Sequence, residues 1–491
     1  MKDAKTTSFF EIKILRPFKW FCVFIIKMKL VTDMALLKKE VSEILSKAQP
    51  DSIMNQLVRL ALPVIASSFM SMAYNFINMF FVGKFGSEAV AAVGSAGFYM
   101  NLSWAISSLL TVGVGIKVSH AIGGRNLFIA RSYVKNGLRA VIMLALVCFA
   151  LLAMNRQFLI GLIQLNNPVI EKAATDYLLL VGMSIPFLFQ NLFFTSVFIG
   201  YGDSRSPFRI NVAALIINIL LDFILIFPVG LGIKGAAIAT IMSQAIATIL
   251  FYRKLNKTEE LKPFEAVYQY VFLKDIIKLG ISPAIQRISF TAVAIVMARI
   301  ISDWGATAIA VQKVGVQIEA ISYMTAGGFV SALSTISGKA YGARDYQTQW
   351  AAFRSGMLLA FLIGTATSVL LIAFPGFLFS IFLSDADSIA MGREYLIILG
   401  FSQLFMCMEL MATGAFFGWG RTHIPAITGI TLTVLRIPMA LAFIHFLENS
   451  LASIWWSISI SSIAKGTILV LLYIILFKSF INNQKQHSHG K

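Results

Sequence analysis

Long apolar runs alternate with short polar stretches along this chain, and beyond residue 56 the rhythm is regular. The runs fall near residues 57–82, 90–116, 137–160, 176–199, 209–228 and 233–252. After a polar, basic stretch at 253–275, six more fall near 277–302, 309–335, 355–378, 393–417, 426–446 and 452–477. Each is about as long as the ~20 residues a helix needs to cross a bilayer. The runs are continuous rather than alternating, so helices are expected and not the strands of a barrel. The pattern predicts an all-α polytopic membrane protein with twelve transmembrane helices. Residues 1–50 differ: they are mixed and charged, with a short apolar island from Trp20 to Ile26 and an amphipathic stretch from Leu36 to Ala48. The island is too short to span and no small-residue cleavage site follows it, so a signal peptide is not expected. The amphipathic stretch suits a membrane interface.

The two sets of six repeat each other. With a shift of 219 residues, GSEAVAAV at 86–93 meets GATAIAVQ at 305–312, and IGGRN at 122–126 meets YGARD at 341–345. With a shift of 218, GYGDSRSP at 200–207 meets GWGRTHIP at 418–425, and Tyr177 meets Tyr395. A parallel duplication of six spans implies two pseudo-symmetric six-helix bundles, with a substrate site between or within them. The expected organisation is an N-terminal segment at 1–50, a first lobe at 51–252, a linker at 253–275, a second lobe at 276–480 and a tail at 481–491.

Composition sharpens this. The chain is 58% hydrophobic and only 13% charged, against roughly 25% charged in a soluble domain, which excludes a soluble enzyme and a disordered chain. Its net charge of +18 is not a nucleic-acid signal, because the Lys and Arg residues are not gathered into one surface. They fall in alternate loops: Lys117, Arg125, Arg131, Lys135 and Arg139 follow span two, and Arg253 to Lys278 follow span six. Lys339, Arg344 and Arg354 follow span eight, and Lys478 and Lys485 follow span twelve. The intervening connections are poor in basic residues, with Lys84, Lys172, Lys234 and Arg393. The positive-inside rule then places the even-numbered loops and both termini in the cytoplasm. Cys22, Cys148 and Cys407 are odd in number and far apart, fitting neither a disulfide framework nor metal ligands.

Candidate chemistry lies in the polar residues inside the spans, which are costly to bury in hydrocarbon. Asn218 and Asp222 stand four apart in span five and share a helix face. Asp222 is the only acidic residue between Asp203 and Glu259, and an ionised carboxylate there needs a cation, a proton or a network of donors. Thr240 and Gln244 in span six, Asn75 and Asn78 in span one, and Tyr177 at the start of span four can line one polar cavity with it. The second lobe carries Gln286 and Arg287, Glu319, Glu409, Arg436 and Lys465. Arg436 is the repeat partner of Asn218, and Glu409 can pair with Arg287, Arg436 or Lys465. Pro63 and Pro283 are near-equivalent prolines that allow spans one and seven to bend. No phosphate-binding loop or His-Glu-x-x-His string occurs, which argues against a built-in ATP motor, metal hydrolysis and an enzyme.

Four strings carry a resemblance: NFINMFFVGKFGSEAVAAVG at 75–94, GYGDSRSP at 200–207, NILLDFILIFPVGLGIKGAAIATIMSQ at 218–244 and GWGRTHIPA at 418–426. On these, residues 52–480 resemble the multidrug and toxic compound extrusion family of secondary transporters. The resemblance implies twelve helices in two bundles forming a V. It also implies export of small, often cationic organic compounds in exchange for protons or sodium ions, with no cofactor and no structural metal. Asn218, Asp222, Thr240 and Tyr177 look like the family's first-lobe acidic site. Asn78 stands where many members have an aspartate, and Gln286 about where some have a glutamate. Glu409 lies within a turn of a carboxylate found in sodium-coupled members, so a sodium site in the second lobe is not supported. Asn75, Gln244, Gln286, Glu409 and Arg436 are the weaker candidates, for the substrate cavity. The partners implied are organic substrates and the lipid bilayer of the plasma membrane (the inner membrane in a bacterium), not nucleic acid, for a monomeric protein. A lipid-linked saccharide flippase of the same wider superfamily is the alternative, and a membrane-embedded transferase the alternative of another class.

Overall fold

A computed structural model describes residues 52–165, 167–263, 268–446 and 450–489. The Trp20–Ile26 island and the Leu36–Ala48 stretch lie outside the described residues. The compact unit is Leu57–Lys491; of the preceding unit, Met1–Gln56, only residues 52–56 are described.

Among the described residues there are sixteen α-helices and no strand. In chain order they are α1 (Ile53–Gly83), α2 (Ser87–Gly123), α3 (Leu127–Gly161), α4 (Pro168–Gly182), α5 (Ile185–Tyr201), α6 (Arg205–Ile226) and α7 (Gly232–Asn256). Then come α8 (Tyr270–Ile301), α9 (Ala306–Gly342), α10 (Tyr346–Ala373), α11 (Pro375–Ser380), α12 (Ala386–Gly400), α13 (Gln403–Gly418), α14 (His423–Val434), α15 (Arg436–Phe446) and α16 (Leu451–His489). Nine helical segments are long and apolar enough to cross a membrane, and eleven when the bent pairs α4–α5 and α12–α13 each count once. The twelfth is α9. At 37 residues it is long enough, but Lys313, Gln317 and Glu319 in its first half lower its hydropathy.

The duplication is visible in the backbone. Gly86 and Gly305, 219 apart, open α2 and α9 at φ 94° and 91°. Arg125 and Arg344, also 219 apart, are left-handed at φ 53° and 59°. The next residues, Asn126 and Asp345, cap α3 and α10 by accepting from the amides of Ile129 and Thr348, satisfying donors a helix start leaves free. Asn167 and Asp385, 218 apart, do the same for α4 and α12. Spans four and ten bend by 46° and 49° at Ser184 and Ser402, again 218 apart. Each hydroxyl donates back to a carbonyl three residues earlier, 2.6 Å to Val181 and 2.9 Å to Leu399, which competes with the helical ladder and bends it. Pro186 helps only the first.

Each lobe has its own core. In the first, Phe189, Phe193, Phe194, Phe198 and Phe251 are wholly buried; in the second, Tyr395, Leu396, Ile454 and Trp455 are. The lobes meet through glycines. An added Cβ at Gly123 would lie 2.0 Å from the Lys339 carbonyl oxygen, and one at Gly342 would lie 2.0 Å from that of His120. These contacts are each other's repeat images, so α2 and α9 cross on a pseudo-two-fold axis beside the basic loops. Gly113 against Ile276 and Gly280 against Leu109 bring α2 and α8 equally close. Across the same end His120 Nε2 lies 2.7 Å from the Gly418 carbonyl oxygen, and Thr335 donates to that of Ile199 at 3.0 Å. Further along α2, Gly94 and Gly97 meet nothing within 4 Å. The lobes are therefore locked at the basic-loop end and part toward the other.

Candidate functional site

The 3.6-residue period of α6 puts Asn218 and Asp222 one turn apart on its inner face, where both are buried. Among the described residues, Asp222 has no Lys or Arg within 4 Å. Its Oδ2 accepts a long hydrogen bond, 3.4 Å, from the Tyr74 hydroxyl of α1. Its Oδ1, the Oδ1 of Asn78 and the Nδ2 of Asn218 are buried without a hydrogen-bond partner among the described residues. Thr240 of α7 faces Tyr74, and the buried Tyr177 of α4 lies within electrostatic reach of Asp222 and Tyr74. A buried carboxylate with an unpartnered oxygen and no cation at hand is what a proton or a small cation needs. A cavity of about 400 Å³ between α4 and α7 is lined by Lys172, Asp176, Tyr177 and Lys234, so Tyr177 borders both this cavity and the acid's surroundings.

Other candidates go elsewhere. Asn75 is exposed, a third of a turn around α1 from Tyr74. Gln244 accepts from Asn191 Nδ2 at 2.7 Å, and Asn191 Oδ1 accepts from Thr248 at 2.9 Å, so Gln244 holds α7 to α5. Tyr74 is the residue the sequence reading missed. It stands four before Asn78, on the same face, and the helical period alone could have found it.

The second lobe is built differently. Glu409 pairs with Lys465 at 3.1 Å. Glu319 accepts from the Tyr395 hydroxyl at 2.6 Å. Arg436, buried at the break between α14 and α15, donates from Nε to Ser461 at 2.6 Å and from an Nη to Ser462 at 2.9 Å. Gln286 packs its amide against the backbone of α14 at Gly429. Glu409 and Arg436 thus sit in one buried cluster, and Gln286 lines a helix contact.

Two repeated helical lobes, locked at one end around membrane-depth polar groups, define a membrane transporter. The family model described as MatE matches residues 63–224 and 283–442, one copy in each lobe. The chain is 26% identical over 441 residues to a "Probable multidrug resistance protein NorM" of Thermotoga maritima, covering 88% of this chain and 94% of that one. It is 24% identical over 426 residues to the human "Multidrug and toxin extrusion protein 1", covering 83% and 72%. Among solved structures, an outward-facing multidrug resistance MATE family transporter superposes with a TM-score of 0.82 at 20% identity, over 88% of this chain and 97% of the other. The chain belongs to the MatE family; it is a MATE transporter and not an enzyme.

Proposed function

We propose that the chain is a secondary antiporter that exports amphipathic organic compounds, as the names of its multidrug-resistance relatives suggest, in exchange for protons or sodium ions. The observation that carries this is Asp222: buried, with an unpartnered Oδ1 and no cation paired with it among the described residues, its other oxygen reached only by the Tyr74 hydroxyl. A carboxylate in that state is costly, and a coupling ion offsets the cost each time it binds. With the basic loops in the cytoplasm, the locked end faces inward and the parted end outward. Proton or sodium entry from outside neutralises Asp222, rearranges its contacts with Tyr74, Asn78, Asn218 and Thr240, and displaces substrate. Release of the ion on the inner side resets the acid. The lobes at 51–252 and 276–480 then rock about the α2–α9 crossing, with the linker at 253–275 and both termini in the cytoplasm of a monomer in the plasma membrane. No cofactor is needed. The first-lobe site, with Tyr177 at its border, couples, and the cluster that holds Glu409 and Arg436 backs the second lobe's side of the substrate path.

The test is counter-ion movement in proteoliposomes, with sodium and pH varied separately and an organic dye as substrate. Asp222→Asn abolishes dye-driven ion movement while thermal unfolding and monodispersity stay as in the wild type. Unchanged antiport in that variant removes the reading.

A further inference from the structure

The coupling reading leaves the charge of the substrate open, and the cleft itself bears on that charge. Just beyond the Gly280–Leu109 contact, Arg287 of α8 lays its guanidinium over the ring of Trp104 of α2 at 4.5 Å. Both stand in the middle of their helices, and both are exposed, Trp104 at 44%. Arg287 is hemmed in by protein on most sides yet reachable by solvent, as a group lining a cleft must be. No carboxylate lies within 4 Å of it among the described residues. One turn further, Phe290 lies beside a second guanidinium, that of Arg436, at 5.9 Å, which two serines hold and which lies within electrostatic reach of Glu409 and Glu319. The two membrane-depth acids, Glu409 paired with Lys465 and Glu319 bonded to Tyr395, belong to that Arg436 cluster and not to Arg287.

A charge at membrane depth is expensive and is usually kept for a ligand or a partner. Here the fixed partner is a ring, which orients a guanidinium and leaves its N–H edge free. A planar fork of donors matches a carboxylate or phosphate bidentately, and the Trp104 face accepts a flat apolar body. We propose that Arg287 binds the anionic group of the transported compound, so that this chain carries amphipathic organic anions whose aromatic part stacks by Trp104. The inference rests on the reading of the chain as a transporter with its cleft between the lobes, and is independent of how Asp222 couples.

The probes are three xanthene dyes of matched size, one carboxylated, its neutral methyl ester, and one cationic, titrated by fluorescence polarisation against the full chain in nanodiscs. The carboxylated dye binds about tenfold or more tighter than its ester, the size of a hydrogen bond to a charged group. Arg287→Gln removes that preference, and Arg287→Lys keeps part of it. Equal or tighter binding of the cationic dye by the wild type overturns the proposal. So does a loss in Arg287→Gln that is the same for all three dyes, because a merely structural arginine would weaken them alike. Unaltered ion coupling in Asp222→Asn with the dye preference intact would instead sink the coupling mechanism alone.

Discussion

The α2–α9 crossing sets a perturbation that can be sized from the structure. Placing a methyl group at Gly342 puts its carbon 2.0 Å from the His120 carbonyl oxygen, 2.8 Å from the carbonyl carbon and 3.0 Å from Cα. Ordinary contact begins at 3.4 Å, so the helices must separate by 3.4 − 2.0 = 1.4 Å. The obstacle is backbone in the opposite lobe, with no rotamer to give way. Overpacking of this kind costs about 1–3 kcal/mol, which shifts a two-state equilibrium by about 5- to 150-fold. Gly342→Ala therefore moves the protein away from the state locked at the basic-loop end. Gly94→Ala, on the same helix as His120 but with nothing within 4 Å of its Cβ, is the control. It makes the same gain in helix propensity without the clash. The assay is electron–electron distance measurement in nanodiscs between spin labels at Leu127 and Ala343, which flank the crossing. The distance lengthens in Gly342→Ala and in Gly123→Ala, and the double variant adds less than the sum, because one separation relieves both contacts. Distributions in Gly342→Ala that overlay the wild type would refute the crossing as the lock.

Two further predictions test what holds the second lobe. Lys465→Met leaves Glu409 buried without its 3.1 Å partner and lowers stability by about 3–5 kcal/mol, and adding Glu409→Gln recovers most of that; thermal unfolding of the two variants decides it. Asp345→Ala removes the cap of α10 and costs about 1 kcal/mol, whereas Asp345→Asn keeps it, as Asn126 does for α3. Hydrogen bonds from the Thr348 hydroxyl and amide hold the Asp345 carboxyl below its usual range. A depressed acid contributes stability above its unfolded value of about 4. That contribution is lost as pH falls through the folded-state value, so unfolding followed below pH ~4 shows an acid loss that Asp345→Asn lacks.

How far the sequence could be read depended on whether a feature was local. The paired caps, the left-handed Arg125 and Arg344 and the repeat offsets follow from short strings, and the strings repeat. Pro186 marks the bend in span four, but Ser402 bends span ten with no proline near it. A serine in an apolar run carries no mark of whether its hydroxyl will turn back on its own helix. Pairings between distant helices were less legible still. Glu409 had three candidate cations, and only the placement of α16 against α13 selects Lys465. Tyr74 was hidden by its neighbour Asn75: polarity drew attention to the amide, while the helix turns it away and brings the phenol to Asp222.

The repeat also separates what symmetry conserves from what function requires. Where the lobes match, the matched residues do structural work: the caps, the two bending serines, the reciprocal glycines of the crossing. Where they differ, the difference is charge. Tyr177 and Tyr395 are equivalent, but the first borders the surroundings of an unpaired carboxylate and the second donates to Glu319. Asn218 and Arg436 are equivalent as well: in the first lobe the amide stands one turn from an acid with no cation within 4 Å among the described residues, and in the second the guanidinium is held by two serines within electrostatic reach of Glu409 and Glu319. One lobe thus buries a lone acid and the other a cluster of two acids and two bases, Glu319, Glu409, Arg436 and Lys465, so a gain or loss of charge is least compensated in the first lobe, where the proposed coupling needs it.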